Sequence, residues 1–154
     1  MTAGLMLDIE LLVEDALEAV DHRVRPDTPL SEVVALMVLQ EVDAVPVVGE
    51  RSEVLGMVTS GDALGRLMHE SDSMEEDLAD ELLTARDVMT RTVMCVSEGQ
   101  PLIEAAHMMV HRDVEQIPVA RDGRLIGIVT RTKVLRALHL RNAAAAARRA
   151  GVVS

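Results

Sequence analysis

Apolar residues along the chain follow two spacings, which together predict a mixed α/β fold. Between residues 30 and 41 they recur at helical spacing, which predicts an amphipathic helix. Two short apolar runs, 45–48 and 54–59, predict buried strands joined by a tight turn. The second run leads directly into another helical stretch at about 62–69. A short extended piece near 20–25 comes first, so the predicted order is strand, helix, strand, strand, helix.

This order of elements occurs twice. Residues 13–48 realign onto 85–120 at an offset of 72, and after a one-residue deletion the register resumes at 71. Identical pairs include Asp15/Asp87, Val24/Val96, Pro29/Pro101, Met37/Met109, Pro46/Pro118, Gly56/Gly127 and Thr59/Thr130. The duplication predicts two similar halves. The copies differ in charge at Asp62 and Lys133, and we expect their chemistry to differ there.

The repeat divides the chain into five predicted segments. Residues 13–69 and 85–141 are the two repeats, and an acidic linker, 70–84, joins them. Residues 1–12 have an apolar face and predict an N-terminal helix. Residues 142–154 are rich in alanine and arginine, and we expect this tail to extend the last helix and then fray.

Four prolines mark expected element boundaries. Pro29 and Pro101 suit the first turn of a helix, where the missing N–H costs nothing. Pro46 and Pro118 lie in the first apolar run of each repeat, where proline predicts a strand start or an interrupted ladder.

Composition limits what can fill the core and what the protein can bind. The chain has no aromatic residue and ten methionines, so Val, Leu, Ala and Met must form the core. Residues 1–80 hold nineteen acids and four bases, and residues 81–154 hold seven acids and eleven bases. This asymmetry indicates complementary association of the halves or of two copies, while the net charge of −11 argues against nucleic-acid binding. The single cysteine, Cys95, excludes an intrachain disulfide and is expected to be buried.

The doubled pattern Val-x-Asp-x-Met, Pro-Leu-x-Glu, apolar-Pro-Val and Gly-x-Val-Thr resembles the cystathionine-β-synthase (CBS) domain. Two copies in tandem resemble the CBS pair, or Bateman module, here expected to stand alone. The resemblance implies two β-α-β-β-α repeats packed by their sheets around a pseudo-twofold axis, with two clefts between them. It also implies a homodimer and a regulatory role without catalysis. The implied ligands contain adenosine: AMP, ADP, ATP or S-adenosylmethionine relatives.

The resemblance assigns ribose and phosphate binding to the turn between the second strand and the following helix. In the first repeat this turn is Thr59-Ser60-Gly61-Asp62. An ionised carboxylate can accept both hydroxyls of a ribose, and a threonine hydroxyl at a helix start can donate to a phosphate. The alternative is that Asp62 only caps the helix.

The second repeat breaks this pattern with Thr130-Arg131-Thr132-Lys133. Lysine accepts no hydrogen bond, so the second cleft cannot hold a ribose in the same way. Either that cleft is empty, or Arg131 and Lys133 supply positive charge to a phosphate, which can belong to a ligand seated in the other cleft. A solvated surface lysine is the third alternative.

The resemblance also places apolar side chains and backbone groups around the adenine. In the first cleft these are Val45, Pro46, Val20 and His22, and in the second they are Ile117, Pro118 and Thr92. The alternative interpretation of all of them is ordinary strand core.

The sequence indicates no enzyme and no metal site. It contains no recognisable nucleophile and base pair, no phosphate-binding glycine-rich loop and no catalytic cofactor motif. His107 and His111 have metal-ligand spacing on one predicted helix, but no third ligand accompanies them. The leading hypothesis is a regulatory module that binds an adenosine ligand between its repeats and relays its level to a protein partner. The alternative is a ligand-free dimerisation or scaffold module. No basic leader or membrane-length apolar stretch occurs, so we expect a cytoplasmic protein that does not enter the membrane.

Overall fold

From the first long helix of each repeat onward, the helices and strands follow the predicted order, whereas the predicted first strand of each repeat forms only an isolated bridge. The structure is a computed structural model that describes residues 11–70, 83–91 and 94–151. The first repeat contains a 3-10 helix (Val13–Ala16), α1 (Leu30–Gln40), β1 (Ala44–Val48), β2 (Val54–Thr59) and α2 (Ser60–Glu70). The second repeat contains α3 (Ala85–Val88), β3 (Thr90–Arg91), α4 (Leu102–Arg112), β4 (Gln116–Arg121), β5 (Arg124–Thr130) and α5 (Arg131–Arg149). The predicted α/β fold class is confirmed.

Helices α1 and α4 begin and end in the same way. Pro29 and Pro101 immediately precede them, because proline's fixed φ suits a helix start. Glu41 and Asp113 end them in the left-handed conformation, with φ of 53° and 52°. Non-glycine residues adopt this conformation only at a cost, so its occurrence at both equivalent positions shows that the duplication extends to backbone detail.

The strands form two antiparallel sheets, one of β1, β2 and β3 and one of β4 and β5. Strand β1 pairs with β2 from Ala44 opposite Thr59 onward, with an irregularity between Val47 and Val48. Pro46 lies inside this ladder, opposite Met57, so the prediction that it begins the strand or interrupts the ladder is wrong. The Pro46 carbonyl accepts from Val24 N at 3.0 Å, on the side of β1 away from β2. Since the nitrogen and carbonyl of one strand residue point to the same side, the missing N–H does not weaken the ladder with β2. The extended piece before α1 forms only a parallel bridge, from Val24 to Val47.

The chain folds into two compact units whose composition differs from that of the sequence repeats. One unit contains the chain up to Ala19, Val96–Val119 and the chain from Gly127 onward. The other contains Val20–Cys95 and Ala120–Ile126. The first of these units contains the lead of the first repeat (residues 11–19) with the helix α4 of the second. The other contains the lead of the second repeat (residues 83–91), the helices and strands of the first repeat and the tip of the β4–β5 hairpin. Below, the unit that contains β1 and β2 is called the Asp62 unit, and the other is called the Lys133 unit.

Equivalent hydrogen bonds hold the exchanged lead in each unit. In the Lys133 unit, Glu18 N donates to Ile128 O at 2.9 Å, and Ile128 N donates to Glu18 O at 3.0 Å. In the Asp62 unit, Thr90 pairs with Met57 at the corresponding position of β2. Leu102 N also donates to Leu11 O at 2.7 Å, and Leu30 N donates to Leu83 O at 2.8 Å.

A glycine lies under each exchanged lead. A Cβ built on Gly56 would come within 2.6 Å of Thr90 O, and one on Gly127 within 2.5 Å of Glu18 O. These contacts are too close for any side chain, so only glycine lets the lead approach the strand.

Each unit has its own aliphatic core. In the Asp62 unit it includes Val24, Val33, Met37, Val45, Val47, Val58, Ala63 and Ala85. Fully or almost fully buried residues of the Lys133 unit include Val13, Leu102, Ala105, Met109, Ile117, Val119 and Val129. The prediction that Val, Leu, Ala and Met fill the core is confirmed. Cys95 is exposed, so the prediction of a buried cysteine is wrong.

The predicted outer segments are only partly described. Helix α5 continues to Arg149, so most of the alanine-rich tail extends the last helix as predicted. Residues 1–10 of the predicted N-terminal helix and 71–82 of the predicted linker lie outside the described residues. No helix within the described ranges is long and apolar enough to cross a membrane.

Candidate ligand-binding site

Thr59 and Asp62 form a reciprocal pair of hydrogen bonds where β2 ends and α2 begins. Asp62 N donates to Thr59 Oγ1 at 3.1 Å, and Thr59 N donates to Asp62 Oδ2 at 3.1 Å. Two otherwise unpaired N–H groups of the helix start are thereby satisfied. The structure therefore confirms the capping role of Asp62. Capping still leaves the Thr59 hydroxyl proton and further carboxylate lone pairs available for a ligand.

Thr90 contacts the same carboxylate from the exchanged lead. Its hydroxyl donates to Asp62 Oδ2 at 3.3 Å. The sequence hypothesis named Thr92 and missed Thr90, because the repeat alignment does not show which lead lies beside which turn. Thr92 itself lies outside the described residues.

Asp62 lines an open groove of about 280 Å³ on the Asp62 unit, together with Gly65, Arg66, Asp87 and Val88. The groove thus contains carboxylates, which can accept hydrogen bonds from hydroxyl groups, and a guanidinium, which can bind an anion. Sequence reasoning missed Gly65, Arg66 and Asp87. The helical spacing of Gly65 and Arg66 from Asp62 was the signal that could have pointed to them.

Asp87 caps the short helix α3 beside this groove. Thr84 N donates to Asp87 Oδ2 at 2.9 Å, and the Thr84 hydroxyl donates to the same atom at 3.1 Å. These hydrogen bonds, aided by the charges of Arg86 and Arg66, lower the pKa of Asp87 below its ordinary 3.8.

The lowered pKa of Asp87 predicts a stability change in acid. A carboxyl group whose folded pKa lies below its unfolded pKa stabilises the protein above the unfolded value. We therefore expect the wild type to exceed Asp87→Asn in free energy of unfolding at pH 7. The difference should shrink as the pH falls below 3.8 and through the folded pKa. Urea titrations between pH 7 and pH 3 would measure it. Thr84→Ala removes one of the donors to Asp87, so in that background the difference in free energy of unfolding should change less with pH. If the difference between the wild type and Asp87→Asn stays constant with pH, it does not come from the lowered pKa of Asp87.

The residues predicted to surround the adenine differ in exposure. Val45 and Pro46 are buried in β1, and Val45 belongs to the core of the Asp62 unit. Val20 and His22 are half-buried in the irregular segment at the start of the same unit. The carbonyl of Val20 accepts a hydrogen bond from the Arg23 side chain at 3.2 Å. None of these four residues is among those that line the groove beside Asp62.

The equivalent turn of the Lys133 unit keeps only half of the reciprocal pair. Thr130 Oγ1 accepts a hydrogen bond from Lys133 N at 3.2 Å, but Lys133 cannot accept one in return. Its ammonium lies 4.0 Å from the carboxylate of Glu18. The neighbouring strand residues Ile117 and Pro118 are buried.

The described parts of the chain contain no group of three or more His, Cys, Asp and Glu side chains placed to hold a metal ion. The rings of His107 and His111 lie edge to face, with centroids 6.2 Å apart. They contact each other on one face of α4.

Two α/β repeats, each with a capped turn between strand and helix, define a tandem-repeat protein. The chain belongs to the CBS domain family, whose model matches residues 22–69 and 85–140. It is a tandem CBS pair, or Bateman module, as the sequence predicted.

Solved CBS-pair structures share this fold. The crystal structure of CBSX2 in complex with AMP matches 84% of this chain and 96% of that chain, at 27% identity and a TM-score of 0.71. The CBS domain pair of protein MJ0100, in complex with 5′-methylthioadenosine and S-adenosyl-L-methionine, matches 83% and 99%, at 25% identity and a TM-score of 0.67.

Among curated relatives, the uncharacterized protein MJ1225 of Methanocaldococcus jannaschii is 25% identical over 114 residues. The match covers 74% of this chain but 38% of that protein. The chain thus spans well under half of this relative's length.

Proposed function

We propose that this protein is a non-catalytic regulatory module that binds an adenosine-containing ligand at the turn of Thr59 and Asp62. The observation that carries the proposal is the Asp62 carboxylate, which lines an open groove and is held in place by Thr59 and Thr90. CBS pairs are generally regulatory, and two solved relatives hold AMP or S-adenosylmethionine-type ligands. The bound state would be relayed to a protein partner.

The hydrogen-bonding capacity of Asp62 supports a ribose at this turn. Oδ2 already accepts from Thr59 N and Thr90 Oγ1. A carboxylate has about four acceptor positions, so it can also take both hydroxyls of a cis-diol. Thr59 can donate its hydroxyl proton to a phosphate beside the N-terminus of α2, where Ser60 and Gly61 are exposed. The Ser60 N–H already donates to Asp43 O at 2.7 Å, so it is not available to the phosphate.

The adenine would be held without aromatic stacking. The chain has no aromatic residue, so contacts must come from aliphatic side chains and backbone groups. Val20, His22, Val45 and Pro46 are the candidates, and all lie in the same compact unit as Asp62. Without stacking, affinity should depend more strongly on the polar groups around the ribose.

Ligand binding can be tested directly. We expect native mass spectrometry of the purified protein to show AMP, ATP or S-adenosylmethionine bound when each is added. Isothermal titration should give one site per chain for at least one of them. Guanosine monophosphate, which has the same ribose and phosphate, is the control for base recognition. If none of the three adenosine ligands binds, the proposed function is wrong.

Exposed apolar side chains favour the alternative function, a ligand-free dimerisation module. Val38 and Leu39 on α1 are 69% and 78% exposed, and Val110 on α4 is 77% exposed. Further exposed apolar residues are Leu64, Leu67, Met68, Ile103, Leu135 and Leu140. Such side chains are typical of surfaces that pair with another protein or a second copy. The same mass spectra would report the oligomeric state, and a dimer that binds no nucleotide would support the alternative. A cytoplasmic location stays a prediction from the sequence.

A further inference from the structure

The two units differ at a pair of positions that the fold brings together. Repeat alignment makes Glu18 equivalent to Thr90 and Lys133 equivalent to Asp62. In the Asp62 unit, Thr90 Oγ1 donates to Asp62 Oδ2 at 3.3 Å. In the Lys133 unit, Glu18 Oε1 lies 4.0 Å from Lys133 Nζ. Both residues of the pair have changed, and the contact between the two positions is kept.

The exchange reverses where the negative charge lies. In the Asp62 unit the acid is on the helix start and a neutral hydroxyl is on the lead. In the Lys133 unit the helix start has the cation and the lead has the acid, so the pair is neutral. A cation at a helix start opposes the helix dipole, and Glu18 offsets this effect. The two side chains are 41% and 43% exposed, so their attraction contributes little to stability, and its main effect is on local charge.

The other cation of the turn also has partners. Arg131 lies 3.5 Å from the carboxylate of Asp113 and donates to Val114 O at 3.1 Å. Both cations that could serve a phosphate at this turn are thus engaged within their own unit. The Lys133 turn presents neither a free carboxylate for a ribose nor an unengaged cation for a phosphate.

The geometry points to Glu18 and Lys133 as the joint determinants that restrict ribose binding to the Asp62 turn. The inference deepens the proposed function and rests on it for the choice of AMP as probe. Lys133 removes the acceptor that would bind the ribose, and Glu18 neutralises Lys133. Changing Lys133 to Asp while Glu18 stays would leave two adjacent carboxylates, which repel each other and compete for protons. Both positions must therefore change before the turn can bind ribose.

The test transfers the pair from one repeat to the other. Asp62→Asn weakens the first site, and Glu18→Thr with Lys133→Asp is added in that background. We expect AMP binding to return at the second turn, with an affinity within about tenfold of the wild type. Lys133→Asp alone and Glu18→Thr alone, in the same background, are the matched controls and should bind at least tenfold more weakly than the combined variant. Should the combined variant fail to fold by circular dichroism, Lys133→Glu replaces Lys133→Asp, because it also supplies a carboxylate.

The outcomes separate this inference from the proposed function. Weaker AMP binding by Asp62→Asn alone supports the proposed site, and recovery in the combined variant supports the inference. If the wild type binds no AMP but the combined variant does, the Asp62 site is wrong, and what stands of the inference is that Glu18 and Lys133 block ribose binding at the second turn. A folded combined variant without AMP binding overturns the inference, as does a Lys133→Asp variant that binds equally well.

Discussion

Alanine at Gly127 is expected to destabilise the protein by about 1–3 kcal/mol, the usual range for overpacking. Its Cβ would lie 2.5 Å from Glu18 O and from the Cδ1 atom of Leu17. The Leu17 side chain can rotate away, but the Glu18 carbonyl is held in the ladder by Ile128 N at 3.0 Å. Gly56→Ala should destabilise the protein by a similar amount, because its Cβ would lie 2.6 Å from Thr90 O. Chemical denaturation monitored by circular dichroism would measure both.

Gly65→Ala is the matched control for these substitutions. Gly65 lies inside helix α2, and nothing lies within 4 Å of a Cβ built there. Since glycine is unfavourable in a helix interior, this variant should be more stable than the wild type by roughly 0.5–1 kcal/mol. If Gly56→Ala and Gly127→Ala were as stable as Gly65→Ala, the leads would not lie against β2 and β5 as described.

Asp62→Asn is expected to weaken binding of the adenosine ligand roughly 10- to 100-fold, because hydrogen bonds to a charged group contribute about 1.5–3 kcal/mol. The amide has the shape of the carboxylate and can still accept from Thr59 N, so the helix cap and the fold should remain. It offers one acceptor oxygen where the carboxylate offers two, and it can no longer serve both ribose hydroxyls. Isothermal titration with AMP would measure the loss.

Asp122→Asn is the matched control, because it removes one negative charge just as Asp62→Asn does. Asp122 is exposed in the turn between β4 and β5 with φ of 52°, a conformation that asparagine tolerates well. It should bind AMP as the wild type does. If Asp62→Asn, correctly folded, also bound like the wild type, the ribose would have to be held elsewhere.

The elements of both repeats could be predicted because local spacing encodes them. The helix that ends at Gln40 was expected to end near Glu41, and the strand Val54–Thr59 was predicted with its observed bounds. The reciprocal bonds of Thr59 and Asp62 join residues three apart, so they too were accessible from sequence. Pro46 and Cys95 were misjudged because neither the side of a strand that faces its partner nor the exposure of a single residue is a local property.

The sequence by itself determined the duplication, the α/β elements, the family and the loss of the acid at Lys133. These follow from spacing and residue type within short segments. Only the tertiary structure decided which lead lies beside which turn, and so placed Thr90 against Asp62 and Glu18 against Lys133. The sequence could not show this, because an alignment of the repeats looks the same whether each lead packs on its own repeat or on the other. The difference lies in contacts between distant segments, which the close approach at Gly56 and Gly127 makes possible.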